Sequence, residues 1–242
     1  MQTAIDKVLR AIYPPQCLAC GDPTETESAL CGPCWRDTPF ITGLTCDVCG
    51  TPLPGEGGDD PVLCDDCMTT ARPWAHGRAA LVYDGRARRM ILQLKHGDRT
   101  DLAPALAAWL LRAARPLLTP DTLVLPVPLH RTRLLRRRYN QAALLSAQLA
   151  RQAGLPHRPD ALIRPRRTRK LDGHDKAARF AALQGAIAPH PRHGAMLDGR
   201  DILLVDDVMT SGATFAAATE ACHVAGARQV CIAALARVVK DT

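Results

Sequence analysis

Two adjacent carboxylates, followed by a loop of small and hydroxylated residues, are the part of this sequence best suited to chemistry. Asp206 and Asp207 come directly after an apolar run at residues 202–205, which predicts a strand buried on both faces. A helical pattern begins behind the loop and continues to Ala225. The loop itself consists of Thr210, Ser211, Gly212, Ala213 and Thr214.

This order of elements suits a sugar phosphate. Backbone N–H groups of a glycine-containing loop, nearby hydroxyls and the positive end of a helix dipole together form a phosphate cradle. Carboxylates directly upstream can accept hydrogen bonds from sugar hydroxyls. We therefore expect a ribose 5-phosphate ligand, with its 2- and 3-hydroxyls on Asp206 and Asp207. The alternative is a strand-turn-helix unit in which the two carboxylates are simply solvated.

A second loop with suitable chemistry follows a predicted strand at residues 122–128. The segment 129–138, which we predict to be a loop, carries five arginines. In open α/β sheets, ligands bind beyond the carboxyl ends of parallel strands. The sequence therefore predicts that this basic loop and the loop at residues 206–214 converge on one site.

Eight of the ten cysteines form four C-x-x-C pairs near the start of the chain. Four thiolates are a ligand set of structural Zn²⁺, so the pattern predicts two zinc sites rather than disulfides. The knuckles repeat after 29 residues, which favours sequential pairing and leaves interleaved pairing open. Sequential sites would consist of Cys17, Cys20, Cys31 and Cys34, and of Cys46, Cys49, Cys64 and Cys67.

Charge divides the chain at the same place as the cysteines. Residues 1–74 carry 4 basic and 11 acidic side chains, whereas residues 75–242 carry 27 and 13, giving net charges of −7 and +14. This reversal predicts a zinc module at 1–74 and a separate basic domain at 75–242, able to attract phosphates or nucleic acid.

The chain carries no sequence signal for a membrane or for secretion. Its longest apolar run, near residues 102–111, contains Pro104 and is too short to cross a bilayer. Charges at Asp6, Lys7 and Arg10 interrupt the region where a signal peptide needs an apolar core. We therefore expect a cytoplasmic protein.

Hydrophobic periodicity in the basic domain predicts an α/β fold with a parallel sheet. A further basic run at residues 164–179 is interpreted as a flap over the site or as a solvated loop. Lys95 is interpreted either as a basic helix end or as a substrate-binding residue. Strands are expected at residues 79–83, 122–128, 202–205 and 229–235, and helices at 1–13, 86–95, 102–118, 140–154 and 214–225.

Two resemblances follow from these motifs. Residues 202–214 resemble the 5-phosphoribosyl-1-pyrophosphate (PRPP) signature of type I phosphoribosyltransferases, with four apolar residues, two acids and Thr-Ser-Gly-Ala-Thr. The chain as a whole resembles the ComF family of competence-associated, phosphoribosyltransferase-like proteins. Its matching motifs are the C-x-x-C knuckles, Tyr83-x-Gly85 followed by Lys95, the run PVPLH ending at His130, and Tyr139-Asn140-Gln141.

The resemblance implies a zinc-ribbon module followed by a type I phosphoribosyltransferase-like parallel sheet with helices on both faces. It also implies a PRPP ligand accompanied by Mg²⁺, and a role with competence proteins in handling imported single-stranded DNA. The ribose and 5-phosphate would be held by residues 206–214. The pyrophosphate would be met by Pro128, Leu129, His130 and Arg131.

Three functions remain open from the sequence. The chain could be a transferase of unknown acceptor, a binding module that senses PRPP or a nucleotide, or a protein that binds single-stranded DNA through phosphate contacts. Because the sequence identifies no general base and no acceptor pocket, no catalytic residue is assigned.

Overall fold

A computed structural model of the chain describes residues 14–58, 60–168 and 176–239. The predicted helix at residues 1–13 and the central part of the 164–179 segment lie outside the described residues. The helices are α1 Gly32–Arg36, α2 Asp65–Thr69, α3 Gly85–His96, α4 Ala103–Ala114, α5 Arg131–Arg137, α6 Gln141–Ala153, α7 Lys176–Leu183 and α8 Ala213–Val224. The strands are β1 Gly77–Val82, β2 Leu123–Pro126, β3 Leu162–Ile163, β4 Ala188–Pro189, β5 Asp201–Met209 and β6 Gln229–Arg237.

Four strands form a parallel sheet in the order β1-β6-β5-β2. The two inner strands, β5 and β6, are almost wholly apolar along the buried part of their length, as expected for strands covered on both faces. The short strands β3 and β4 pair with each other in an antiparallel hairpin outside this sheet. The predicted parallel α/β sheet is confirmed.

Helices cover both faces of the sheet. Side chains alternate along β5, so that Leu203 and Val205 belong to one apolar core whereas Ile202 and Leu204 belong to another. Helices α3, α4 and α6 cover the first face, and α8 covers the second. The cysteines outside the knuckles, Cys222 and Cys231, are buried core residues.

The helix α6 begins and ends where its sequence predicts. The side chain of Asn140 caps its first turn by accepting a hydrogen bond from the Ala142 N–H at 3.1 Å. Gly154 ends it with a left-handed backbone conformation. The arginine-rich segment 129–138 differs from the prediction, because residues 131–137 form α5 rather than a loop. Its two leucines, Leu134 and Leu135, are adjacent and both exposed, so the segment has no buried apolar stripe from which a helix could be predicted.

The eight knuckle cysteines assemble into two clusters. In each cluster the four Sγ atoms lie within 4.8 Å of one another. The Sγ atoms of Cys20 and Cys31 are 3.6 Å apart, as are those of Cys49 and Cys64. Tetrahedral zinc with Zn–S bonds of about 2.3 Å separates its sulfur ligands by about 3.8 Å, so both clusters fit structural Zn²⁺. The clusters are those of sequential pairing, which excludes the interleaved alternative.

Both ribbons pack on the α/β domain. Phe40 of the first ribbon forms an antiparallel bridge with Leu81 at the free edge of β1. Apolar residues of the first ribbon join the core on the first face, whereas Cys46, Cys49 and Trp74 join the core on the second face. The acidic segment therefore docks on its own basic neighbour.

Three ion pairs accompany this docking. Asp37 pairs with Arg86, and Asp47 pairs with Arg78, at 2.8 and 2.6 Å respectively. Asp66 pairs with Arg72, which lies on the segment joining the second ribbon to the sheet, at 2.6 Å. The first two pairs join the two segments and match their opposite net charges, whereas the third lies within the acidic segment.

Within the described residues, no helix combines the length and the apolar character that a membrane crossing requires.

The zinc clusters generate the first testable prediction. We expect Cys17→Ser to remove one of two bound zinc ions and to unfold the first ribbon, because metal coordination supplies much of the folding free energy of so small a module. Metal content by mass spectrometry and thermal unfolding measure these two effects. The matched control is Cys222→Ser, which changes a buried cysteine of α8 and should keep both ions. Two zinc ions retained in Cys17→Ser would contradict the assignment.

Candidate functional site

The candidate site lies at the carboxyl edge of the parallel sheet. Because β2 pairs with β5 in parallel, Pro126 lies beside Val205 and the two strands end toward the same edge. The N–H of Val127 donates to the carbonyl oxygen of Val205 at 2.8 Å, which holds the start of the loop after β2 against β5. The two sequence-predicted loops therefore emerge on neighbouring strands.

The central strand continues through the carboxylate pair, which is a correction of the predicted boundary. We predicted a strand over residues 202–205, whereas β5 runs to Met209 and includes both Asp206 and Asp207. Successive side chains leave a strand on alternate sides, yet the two carboxyl groups stay close enough for the charge of Asp207 to act on Asp206.

Asp207 projects toward the first face and meets Lys95. The Lys95 Nζ lies 3.0 Å from the Asp207 Oδ2, and both side chains are largely buried. Lys95 lies in the last turn of α3. The Tyr139 hydroxyl donates to the carbonyl oxygen of neighbouring Leu94 at 2.8 Å and so ties the end of α3 to the start of α6. Lys95 is therefore a basic helix end that also pairs with a carboxylate of the site, and its part in substrate binding stays a prediction.

Asp206 is half-buried, whereas Asp207 is buried, and the charges of Lys95 and Arg164 both act on Asp206. Burial and the negative charge of Asp207 raise its pKa to about 7. The N–H of Asp207, which donates to the Asp206 Oδ1 at 2.8 Å, opposes this rise, as do the charges of Lys95 and Arg164. Asp206 therefore changes protonation state near neutral pH.

Arg164 brings a buried cation to the same side of the site. Its side chain is only 8% exposed, and burial followed by repulsion from Arg133 lowers its pKa. An Nη atom of Arg164 donates to the Thr168 hydroxyl at 2.5 Å, and an Nη atom of Arg133 donates to the carbonyl oxygen of Thr168 at 3.1 Å. Two guanidinium groups from different elements thus converge on Thr168, and the charge of one of them, Arg164, acts on Asp206.

The loop after β5 turns tightly into α8. Gly212 has φ of +83°, a conformation that residues with a Cβ rarely adopt. A Cβ at this position would also lie 2.9 Å from Met209 Cε and from Trp74 Cη2. The predicted cradle residues Thr210, Ser211, Gly212, Ala213 and Thr214 all lie at this strand-to-helix turn, with Gly212 directly preceding α8.

The residues predicted to meet a pyrophosphate lie beyond β2. Pro128 is buried, Leu129 and His130 are half-buried, and Arg131 is exposed. His130 is the N-cap of α5, and its Nδ1 accepts a hydrogen bond from the N–H of Thr132 at 3.2 Å. Arg131 is the first residue of that helix.

Sequence reasoning did not single out Arg164 as a site residue. It was treated only as the start of a basic run, and nothing in the sequence distinguishes it from the arginines that follow. Its position depends on the β3–β4 hairpin, whose two-residue strands are too short to give a periodic signal.

Comparison with known proteins agrees with the zinc module and identifies relatives of the whole chain. Residues 8–68 match the family model described as a double zinc ribbon domain. The chain is 32% identical over 193 residues to the DNA utilization protein YhgH of Escherichia coli K12, covering 77% of this chain and 81% of that protein. It is also 32% identical over 114 residues to competence protein F of Haemophilus influenzae, covering 47% and 49% of the two chains.

Among solved structures, glutamine PRPP amidotransferase from B. subtilis matches 59% of this chain and 30% of its own, with 16% identity and a TM-score of 0.39. The match to YhgH is the extensive one, since it spans most of both proteins. By that match, and by the motifs at Lys95, His130 and Tyr139, the chain belongs to the ComF family, the family of the relatives YhgH and competence protein F.

Proposed function

We propose that this chain binds PRPP, or another ribose 5-phosphate ligand, at the carboxyl end of β5, and that it acts in the cytoplasm in the use of imported DNA. The ligand proposal rests on one juxtaposition: two carboxylates, the buried cations Lys95 and Arg164, and a glycine loop that opens α8 lie together at one strand end. The role in DNA use is supported by the names of the relatives YhgH and competence protein F.

Different residues of the site would bind the 5-phosphate, the ribose hydroxyls and the pyrophosphate of the ligand. The 5-phosphate takes hydrogen bonds from the backbone N–H groups and hydroxyls of residues 210–214, at the positive end of the α8 dipole. The ribose 2- and 3-hydroxyls donate to Asp206 and Asp207. A pyrophosphate on C1 extends toward residues 128–131, where the exposed Arg131 side chain can meet it.

Magnesium would accompany a PRPP ligand. Asp206 and Asp207 supply the hard carboxylate oxygens that Mg²⁺ prefers, and the ion would neutralise charge on the pyrophosphate oxygens. A transferase reaction would break the C1–O bond and leave positive charge on the ribosyl carbon. The carboxylates of this site lie where such charge would be stabilised, so positioning and electrostatics would contribute more than a strong base.

The first test of this function removes one carboxylate. We expect Asp207→Ala to weaken PRPP binding about tenfold to a hundredfold, the range for losing a hydrogen bond to a charged group. Both zinc ions should remain, because neither cluster contacts Asp207. Calorimetric titration with PRPP and Mg²⁺ measures the affinity.

The matched control for this test is Asp201→Ala. Asp201 begins the same strand, at the opposite edge of the sheet, and pairs with Arg228. It should bind PRPP as the parent does. Unchanged affinity in Asp207→Ala would remove the carboxylate pair from the proposed site.

The raised pKa of Asp206 gives a pH dependence. An ionised carboxylate accepts hydrogen bonds from ribose hydroxyls more strongly than a protonated carboxyl group does, so binding should strengthen as the pH rises through the Asp206 pKa of about 7. Between pH 6 and 8 the affinity should rise by up to about tenfold. The 5-phosphate of the ligand also titrates near pH 6, and its contribution must be subtracted.

Asp206→Asn makes that subtraction possible. The variant keeps the titration of the ligand but removes the titrating carboxylate. Affinities measured across this pH range should therefore rise less steeply in Asp206→Asn than in the parent. Equal slopes would mean that Asp206 does not titrate on binding.

A second candidate function is binding of single-stranded DNA. The arginines around Thr168 give the observation that favours it, since Arg133 and the exposed Arg166 and Arg167 add positive charge beside the site. Few aromatic side chains are available in this domain for stacking on bases. Binding would therefore depend on phosphate contacts.

Salt dependence tests this second candidate. Each phosphate contact in a single strand contributes a slope of about −0.7 to log K against log salt concentration. We expect Arg131→Ala combined with Arg167→Ala to reduce the magnitude of the slope by about 1.4, as measured by fluorescence anisotropy with an oligonucleotide. The control replaces Arg112 and Arg115, two exposed arginines at the opposite edge of the sheet. A salt-independent affinity would exclude the phosphate-contact mode.

A further inference from the structure

Two buried arginines bind consecutive carbonyl oxygens of the loop after β5. One Nη atom of Arg237 donates to the carbonyl oxygens of Met209, at 3.3 Å, and of Thr210. One Nη atom of Arg72 donates to the carbonyl oxygen of Ser211 at 2.9 Å. The side chain of Arg72 is 1% exposed, and Arg237 is 6% exposed. Both cations thus lie behind the loop, away from solvent.

These contacts fix the direction of the loop N–H groups. In a trans peptide the C=O and the following N–H point in opposite directions, and the described residues contain no cis peptide bond. With the carbonyl oxygens of Thr210 and Ser211 turned toward the guanidinium groups, the N–H groups of Ser211 and Gly212 face the opposite way. In the described part of the chain, neither N–H donates to a protein acceptor. Two parallel unpaired N–H groups form an anion-binding concavity.

Arg72 joins this loop to the second zinc ribbon. Its other Nη atom lies 2.6 Å from the Asp66 Oδ2, and Asp66 belongs to α2, between two ligands of the second cluster. The guanidinium carbon lies 5.5 Å from the ring centre of Trp74 and 5.6 Å from that of Phe180. Met209, Trp74 and Arg72 also surround the position where a Cβ on Gly212 would lie. Arg72 therefore contacts the ribbon, the loop and α7 at once.

Trp74 and Arg237 give further links to the same cluster. The Trp74 Nε1 donates to the carbonyl oxygen of Val48, between Cys46 and Cys49, at 2.6 Å. The positive charge of Arg237 also acts on Cys49, a member of the same cluster. Among the described residues, Arg237 forms no ion pair with a carboxylate.

The charge balance explains how two arginines can remain buried here. A buried cation is costly without a compensating negative charge. Four thiolates around Zn²⁺ carry a net charge of −2, and the second cluster fits such an ion. That charge, together with Asp66, compensates both guanidinium groups.

We propose that Arg72 and Arg237 are positioning residues of a phosphate-binding loop, and that the metal-loaded second ribbon holds them in place. The ligand class, a phosphate monoester, rests on the proposed function. The orientation of the loop by the two arginines is argued independently of the proposed function. The first ribbon, whose ion pair with Arg86 lies elsewhere, has no such role.

The test compares Arg72→Met with Arg86→Met in the zinc-loaded full chain. Methionine keeps the apolar stem of Arg72 but removes its donors. We expect backbone NMR order parameters at Ser211 and Gly212 to fall from about 0.85 to below about 0.6 in Arg72→Met and to stay unchanged in Arg86→Met. The dissociation constant for ribose 5-phosphate should rise about tenfold in Arg72→Met alone.

Arg72→Lys separates positioning from packing, because it restores a charged donor on a similar stem. It should recover part of the order parameters and of the affinity. Lysine and methionine variants that behave alike, or an Arg72→Met loop as rigid as the parent's, would overturn the proposal. Wild-type protein that binds no ribose 5-phosphate would contradict the proposed function, while the order parameters would still decide the positioning role.

A second comparison tests the ribbon and applies even where Arg72 variants fail to fold. Cys64→Ser and Cys31→Ser should each lose one zinc ion, measured by mass spectrometry. Only Cys64→Ser, in the second cluster, should lower the order parameters of the loop. Equal effects of the two variants on the loop, or none in Cys64→Ser, would overturn the link to the second ribbon.

Discussion

Two adjacent negative charges at the buried end of β5 set the main electrostatic constraint on this fold. Carboxylates that lie side by side and away from solvent repel each other, and each needs a compensating group. Asp207 pairs with Lys95 of α3, and the positive charge of Arg164 acts on Asp206. The end of α3 and the β3–β4 hairpin are thereby tied to one strand end. The site is therefore built from several elements, namely the end of β5, the end of α3 and the β3–β4 hairpin, rather than from one loop.

The need to compensate buried charge also explains why an acidic zinc module packs on a basic domain. Two guanidinium groups are buried behind the loop after β5, and the second cysteine cluster lies beside them. Ion pairs of Asp37, Asp47 and Asp66 with arginines of the sheet domain and the connecting segment extend this match over the whole contact. The ribbons thus form part of the structure around the site, although they differ from the domain in composition and charge.

Much of this architecture could be predicted from the sequence, because it depends on local patterns. The apolar run before Asp206, the Asn140 and Gly154 caps and the spacing of the cysteines each specify structure within a few residues. Contacts between distant segments could not be predicted in this way. Arg72 lies 139 residues from Ser211, and no local pattern relates them. The extension of β5 to Met209 was missed because acidic residues are rare in strands, and only their partners in other layers make them tolerable there.

The most direct test of the account is a crystal structure of the zinc-loaded protein soaked with ribose 5-phosphate. The account predicts the phosphate within about 3 Å of the N–H groups of Ser211 and Gly212, which is hydrogen-bond distance. It also predicts the 2- and 3-hydroxyls on Asp206 and Asp207. A groove beyond β5 that stays empty of the sugar at saturating concentration, or that is filled by the protein's own side chains, would contradict it.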